Sequence, residues 1–280
     1  MRGARPERAL DGLLRRALGE AAPARVIVAC SGGPDSVALA SLADRVARED
    51  GIDVLLGHVD HGVRPGALQD ACVVLSVGAR LEREVRIAHL RPERDDEAAL
   101  RDARYAALAG LARDAGAPLV LTAHTAEDQT ETVLLALFRG TGLDGLGGMR
   151  PRRPLADGIE LVRPLLRVTR ALLGAELRRS GLPYALDPTN AGPRYRRGAL
   201  RPHLTALRDA FPHLDRAVAR CAEIVREDLD ETERAGARRQ LRARLRAAGA
   251  LRDITFADIE AALDAADDLP GRDPSGSLRR

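Results

Sequence analysis

Residues 25–36 read RVIVACSGGPDS, a run of apolar residues followed at once by a small polar turn. An uninterrupted apolar run of this length, rich in valine and isoleucine, is typical of a strand that is buried on both faces. Directly after the turn, Val37, Leu39, Leu42 and Val46 follow the spacing of an amphipathic helix. The sequence therefore predicts a buried strand, a tight turn and a helix in immediate succession.

The turn from Ser31 to Ser36 has the composition of a phosphate-binding loop. Gly32 and Gly33 permit positive φ angles and a close approach of a ligand to the backbone. Consecutive backbone N–H groups can form a concave anion site, and the helix that begins near Asp35 adds its positive end. The spacing matches neither G-x-x-x-x-G-K-[ST] nor G-x-G-x-x-G. The alternative is an ordinary tight turn in which Asp35 caps the helix.

The alternation of strand and helix continues to about residue 140. Three further apolar segments are predicted strands, and a helical pattern separates each from the next: DVLLGHV at 53–59, EVRIAHL at 84–90 and PLVLTAH at 118–124. This alternation predicts the α/β class, with a doubly wound parallel sheet that carries helices on both faces. In such sheets ligands bind at the carboxyl ends of the strands, where the strand order reverses.

Beyond Gly140 the pattern changes. Residues 141–158 are rich in glycine and proline and predict a long loop, and a short extended segment and a helix follow. The last quarter of the chain has a helical pattern. We therefore predict an α/β domain over residues 1–209 and a smaller all-helical domain over residues 210–280.

Composition limits the classes of function. All 44 basic residues of the 280-residue chain are arginine, but 41 acidic residues leave a net charge of only +3. An argument for nucleic-acid binding must therefore rest on local clusters. Three cysteines and no C-x-x-C pair disfavour a thiolate metal cage or an iron–sulfur cluster, and scarce cysteine fits a cytoplasmic protein. The sequence shows neither a signal-peptide pattern nor an apolar run of about 20 residues, so no membrane association is expected.

Two polar clusters follow predicted strands. His58 and His61 lie three residues apart in GHVDHGVRPGALQD and could suit a metal, but without a third ligand nearby in sequence, hydrogen bonding within the loop is favoured. In TAHTAEDQTET, Thr125 and Asp128 fit a capping box. Asp128 and Glu131 also lie on one face of the predicted helix, and capping does not require Glu131. This carboxylate pair could hold an ammonium group or Mg²⁺.

A third cluster is basic. The stretch PRYRRGALRPH at 193–203 places Tyr195 among several arginines. Arginine forms paired hydrogen bonds with phosphate and tyrosine stacks on bases, so the stretch is a candidate contact for RNA or ATP. A second arginine-dense run, ARRQLRARLRAAG at 237–249, could meet an RNA backbone. The alternative for both is a solvated helix surface.

Six motifs occur in order within residues 24–215: SGGPDS, HVDHGVR, RDARY, TAHTAEDQTETVLLALFRGTGLDGL, RPLL and LPYALDPTN. The first by itself resembles the pyrophosphate-binding loop of the N-type ATP pyrophosphatases, the PP-loop family. Together the six resemble the tRNA(Ile)-lysidine synthetase family. The tRNA-thiolating enzymes among its siblings usually carry cysteine pairs, which this sequence lacks.

The resemblance implies a ligase that works in two steps with ATP and Mg²⁺. In the first step, ATP adenylates the C2 oxygen of the wobble cytidine in tRNA(Ile) with the anticodon CAU. In the second step, the ε-amine of free L-lysine displaces AMP and gives lysidine. The modified base pairs with A instead of G.

The resemblance also implies a role for each matched residue. The turn would cradle the ATP phosphates, with Asp35 near the metal or the reacting phosphate: Ser31, Gly32, Gly33, Pro34, Asp35 and Ser36. His58 and Arg64 would line the nucleotide pocket, and Arg104 would be catalytic by neutralising phosphate charge. Asp128 and Glu131 would bind lysine and help to keep its attacking amine unprotonated. The basic stretch would bind tRNA through Arg194, Arg196, Arg197 and Arg201, and the helical domain would add a further contact.

Some features depart from the family pattern or leave alternatives open. Thr125 stands where a second histidine is common, and Gly198 stands where asparagine is usual. Because the chain is shorter than the long family members, we expect it to lack their second C-terminal domain. The enzymatic alternative is another PP-loop enzyme, such as a tRNA thiolase or an amidotransferase subunit. The non-enzymatic one is a nucleotide-binding regulator, and the sequence leaves a homodimer open.

Overall fold

The structure is a computed structural model, and it describes residues 6–19, 23–60, 67–90, 97–186, 196–247, 259 and 261–263. The chain forms two compact units, Met1–Ala222 and Glu223–Arg280. The boundary that the sequence predicts, between residues 209 and 210, stays a prediction.

The first unit is built on one mixed sheet. Six strands lie in the order β3-β2-β1-β4-β6-β5. Every neighbouring pair is parallel except β5 and β6, which are antiparallel. The strands are β1 (Arg25–Ala29), β2 (Asp53–Asp60), β3 (Val85–His89), β4 (Leu119–Leu121), β5 (Arg152–Ala156) and β6 (Ile159–Val162). The predicted α/β sheet is confirmed, with one antiparallel strand at its edge.

The helices lie between these strands and after them. Those before β5 are α1 (Pro6–Leu18), α2 (Pro34–Asp50), α3 (Ala67–Leu81), α4 (Glu97–Ala115), α5 (Ala126–Leu137) and α6 (Leu143–Leu146). Those after β6 are α7 (Arg170–Ser180), α8 (Arg196–Ala210) and α9 (Leu214–Ala247). None of the described helices has both the length and the apolar character that a membrane span needs.

One prediction is wrong at the edge of the sheet. The predicted loop at 141–158 contains the short helix α6 and the strand β5. β5 reads RRPLA and therefore lacks the apolar run that marks a buried strand. It pairs along one side with β6 after a turn at Gly158, whose φ is 70°. Proline and charged residues are usual on such an edge, and they conceal the strand in the sequence.

Two apolar cores cover the two faces of the sheet. Val26 and Val28 of β1 pack with α1, α2, α3 and α7 on one face. Ile27, between them, packs on the other face with Leu108 of α4. This alternation along a strand that is buried on both faces explains its uninterrupted apolar sequence.

The order of the strands places a switch point between β1 and β4. From β1 the chain builds outward to β2 and β3, then returns to form β4 on the other side of β1. The connections that leave β1 and β4 therefore diverge at the carboxyl edge and leave a crevice there. The turn Ser31–Gly33 and the segment Thr122–Thr125 both lie at this crevice, and α2 and α5 begin from it.

Candidate active site

The turn after β1 has the geometry that its glycines suggest. Gly32 has φ +85°, and a Cβ atom there would lie 3.1 Å from the Asp70 carbonyl oxygen. The positive φ angle favours glycine at this position, and the Asp70 carbonyl leaves little room for a side chain. The carbonyl oxygen of Gly32 accepts a hydrogen bond of 2.9 Å from the backbone N–H of Ala185. The LPYAL segment thus lies directly against the turn.

Ser36 holds the turn in shape. Its hydroxyl oxygen accepts a hydrogen bond of 3.1 Å from the Ser31 backbone N–H and donates one of 2.9 Å to the Gly33 carbonyl oxygen. Gly33 is the N-cap of α2, and no side chain hydrogen-bonds to the helix end as its cap. The cap is therefore not Asp35, which lies inside the first turn of the helix. The positive end of α2 thus faces the crevice without a capping side chain, as an anion site requires.

The second helix that begins at the crevice, α5, has a capped N-terminus. Asp128 accepts a hydrogen bond of 2.9 Å from the Thr125 backbone N–H, and the Thr125 hydroxyl accepts one of 3.4 Å from the Asp128 backbone N–H. The predicted capping box of α5 is therefore confirmed. Because the capping box occupies backbone N–H groups at the start of α5, the N-terminus of α2 is the better anion site of the two.

Arg170 joins the two sides of the crevice. Its Nε donates to Asp35 Oδ2 at 3.1 Å, and its Nη2 donates to Asp128 Oδ1 at 2.6 Å. Its backbone N–H donates to the Glu127 carboxylate at 2.9 Å, which fixes the start of α7. The turn and the acidic motif of α5 are therefore parts of one site. Sequence reasoning missed Arg170, although arginine at the first residue of a helix is electrostatically unfavourable and so pointed to a special role.

Charge and burial set the ionisation of this group. Burial raises the pKa of Asp35, which Arg170 only partly opposes and the charge of Asp128 reinforces. Burial would also raise the pKa of Asp128, but Arg170 and the hydrogen bond from Thr125 lower it below its ordinary value. Asp128 is therefore the more firmly ionised of the two carboxylates.

His124 lies beside them as a neutral imidazole. Burial lowers its pKa to about 3, and the charges of Arg163, Arg104 and Arg197 act in the same direction while Asp128 opposes them. Its Nδ1 lies 2.9 Å from the Thr122 hydroxyl. The ring can exchange hydrogen bonds with a ligand at neutral pH but carries no charge there.

Glu131 has an arginine partner of its own. Its side chain is fully buried, and Arg201 Nε donates to its Oε1 at 2.8 Å while Nη2 donates to Oε2 at 3.3 Å. Arg197 donates to the Thr132 hydroxyl at 3.3 Å. Two of the four arginines predicted to bind tRNA therefore fasten α8 to α5. Arg196 begins α8, and Arg194 lies outside the described residues.

Two of the remaining predicted residues, His58 and Arg104, lie in the described part of the structure. His58 is buried at the carboxyl end of β2, with Nδ1 2.9 Å from the Cys30 carbonyl oxygen. Its Nε2 is buried and has no hydrogen-bond partner in the described structure. Arg104 lies on α4, close enough to His124 to affect its pKa. Arg64 and His61 lie outside the described residues. Within the described part, no three His, Cys, Asp or Glu side chains are grouped to hold a metal ion.

Comparison with known proteins assigns the class first. The PP-loop domain family matches residues 7–207. The U34-tRNA thiolase of Methanococcus maripaludis has the same fold, with a TM-score of 0.67 at 14% identity over 79% of this chain and 80% of that one. The family match over residues 7–207, together with this fold, defines an α/β protein of the PP-loop class.

Curated relatives narrow the class. The chain is 43% identical over 238 residues to the tRNA(Ile)-lysidine synthase of Bordetella bronchiseptica, covering 78% of this chain and 69% of that protein. It is 44% identical over 199 residues to the enzyme of the same name from Methylobacterium nodulans, with 69% and 58% covered. It is 45% identical over 187 residues to the tRNA(Ile)-lysidine synthase of Rhodopseudomonas palustris, covering 65% of this chain and 54% of that protein. The chain belongs to the tRNA(Ile)-lysidine synthase family of PP-loop proteins, and it spans between about half and about two thirds of these relatives' length.

Proposed function

We propose that the chain joins L-lysine to C2 of the wobble cytidine of tRNA(Ile) with the anticodon CAU, at the expense of ATP. The observation that carries this proposal is the Arg170 bridge. Arg170 joins the turn Ser31–Ser36, which we call the phosphate turn, to the acidic motif of α5 by bonding to Asp35 and Asp128. A reaction in which ATP activates one substrate and an amine completes the transfer needs both features together.

For the first step, the turn would bind the ATP phosphates through its backbone N–H groups and the positive end of α2. The cytidine C2 oxygen then bonds to the α-phosphorus, and the bond from that phosphorus to the bridging oxygen breaks to release pyrophosphate. Oxygen ligands suit Mg²⁺, so Asp35 and Asp128 would hold it beside the phosphates, where it neutralises charge. Arg170 keeps these two carboxylates close together in spite of their repulsion.

For the second step, the ε-amine of lysine bonds to C2 and AMP leaves. An ammonium group must lose a proton before it can attack, and carboxylates are the groups at hand to orient it. Asp128 and Glu131 each hold a guanidinium in this structure, and this supports their role as cation ligands. Glu131 is fully buried, so lysine reaches it only if Arg201 gives way.

Exchange of labelled pyrophosphate into ATP tests the first step. We expect exchange that requires a CAU tRNA and that Asp35→Ala abolishes, because Asp35 lies in the first turn of α2 at the phosphate site. The circular dichroism spectrum should stay that of the wild type. Exchange without tRNA would indicate a different adenylated substrate, and wild-type exchange in Asp35→Ala would make the turn purely structural.

A further inference from the structure

Tyr105 is surrounded by arginine side chains from three separate elements. The Cζ atoms of Arg104 on α4 and Arg153 on β5 lie 5.3 Å and 4.7 Å from the centre of its ring. Arg163, directly after β6, is close enough for its charge to lower the pKa of the Tyr105 hydroxyl. We call Arg104, Tyr105, Arg153 and Arg163 the Tyr105 cluster. The cation–π contacts hold guanidinium groups in fixed positions around the ring.

The positive charge of the Tyr105 cluster lacks a carboxylate partner in the described part of the chain. Arg163 Nη1 donates to the Arg150 carbonyl oxygen at 2.7 Å, and Arg153 Nη1 donates to the Pro154 carbonyl oxygen at 3.1 Å. These acceptors are neutral, whereas Arg170 and Arg201 are paired with carboxylates. Guanidinium groups held together without a counter-charge are unfavourable in the absence of a ligand.

Arg163 is the buried member of the Tyr105 cluster. It is 6% exposed, and its Nε is buried without a hydrogen-bond partner among the described residues. Burial lowers the pKa of Arg163, and the charges of Arg153 and Arg101 lower it further. A buried donor without an acceptor is costly and is often explained by a ligand that supplies one.

The Tyr105 cluster lies at the same edge of the sheet as the candidate active site. β6 is parallel to β4, and the Thr122 backbone N–H donates to the Val162 carbonyl oxygen at 2.9 Å. Arg163, the next residue after Val162, therefore lies beside the segment Thr122–His124. β6 is two positions from β1 in the sheet, a distance of about 10 Å. The cluster thus lies at the same edge of the sheet as the phosphate turn, two strands away from it.

We propose that the Tyr105 cluster binds a backbone phosphate of the tRNA close to the cytidine that is modified. Convergent guanidinium groups match the oxygens of a phosphate, and such contacts fix the register of a nucleic acid on a protein. The phosphate would supply the counter-charge that the cluster lacks. The proposal rests on the proposed function for the identity of its ligand, but not on the lysine step.

The test is the salt dependence of CAU-tRNA binding in Arg153→Met and Arg163→Met. Each should weaken binding and reduce the slope of log K against log salt by about 1. The double variant should lose less affinity than the sum of the two single losses, because both arginines meet the same phosphate. Binding of ATP, measured by its effect on the melting temperature, should not change. Arg153 is partly exposed, so Arg153→Met alone decides the outcome if Arg163→Met does not fold.

Arg152→Met is the matched control. Arg152 is the neighbouring residue on β5, but it is exposed and paired with Glu160, so its loss should leave the slope unchanged. An unchanged slope in Arg153→Met, or an equal loss in the control, would overturn the site, and weaker ATP binding would assign it to ATP instead. If the wild type binds tRNA but adds no lysine, the proposed function fails while the site stands. If the wild type binds no tRNA, both fail.

Discussion

At the residue scale, the Arg170 guanidinium decides the charge state of the candidate site. Asp35 and Asp128 would repel each other in the crevice, and protonation of one would be the usual way to relieve this. Arg170 bonds to both instead, and it lowers the pKa of each relative to the same site without it. Asp128 therefore keeps a pKa below its ordinary value and stays ionised near neutral pH, whereas burial holds the pKa of Asp35 above its ordinary value.

Replacing Arg170 should change the pH dependence of the reaction. In Arg170→Met the pKa of both carboxyl groups rises, so the acidic limb of the rate of AMP formation should move to higher pH. Arg170→Lys keeps the charge but lacks the two separate nitrogens with which the guanidinium reaches the two carboxylates, and should give a smaller shift. Arg178→Met, an exposed position on the same helix, is the control. A profile in Arg170→Met that coincides with that of the wild type would contradict this role.

The same substitution should lower stability in a pH-dependent way. The depressed pKa of Asp128 contributes stability above the ordinary aspartate pKa of about 3.9, and this contribution disappears as the pH falls through the folded value. Arg170→Met should therefore lower the free energy of unfolding by on the order of 2 kcal/mol at pH 7 and by less at pH 3. The loss at pH 7 is moderate because Arg170 is partly exposed and water replaces part of its bonding. Urea unfolding at both pH values measures the difference.

At the element scale, the helix ends and the strand edges explain how much the sequence could predict. β1, β2 and β4 and the helices around them follow from apolar runs and helical spacing, because these strands are buried within the sheet. The capping box of α5 was also predictable, since it needs only two suitable residues three positions apart, here Thr125 and Asp128. β5 was not, because an edge strand needs no apolar run. The contacts of Arg170, Arg163 and Arg201 join residues far apart in sequence, and no local pattern encodes them.

The junction of α5 and α8 offers a test of the lysine site. Glu131→Gln should leave AMP transfer to tRNA within about twofold and raise the lysine concentration for half-maximal rate by about tenfold, a loss of about 1.4 kcal/mol. The reason is that the variant is nearly isosteric but lacks the charge that would hold an ammonium group.

Arg201→Met is the matched control, because it breaks the same ion pair but keeps the Glu131 carboxylate. Arg201→Met should lose more stability, because it leaves the buried Glu131 carboxylate unpaired, yet only Glu131→Gln should raise the lysine requirement. A similar rise in both would show that the ion pair is structural. Equal loss of both reaction steps in Glu131→Gln would point to ATP or metal binding at this position.

At the scale of the whole molecule, the residues of the proposed sites lie at one edge of one sheet. The phosphate turn follows β1, the acidic motif follows β4 and the Tyr105 cluster includes the residue after β6, so three neighbouring parallel strands deliver three kinds of group to the same edge. The order matches the proposed substrates, with ATP at the first position, the amine at the second and the tRNA backbone at the third.

The most direct measurement is the mass of the wobble nucleoside after a CAU tRNA has been incubated with the protein, ATP and lysine. The account predicts a cytidine heavier by one lysine less one water, formed only when both ATP and lysine are present and absent with Asp35→Ala. A nucleoside in which sulfur has replaced oxygen, or a cytidine of unchanged mass under conditions in which the tRNA is bound, would contradict it.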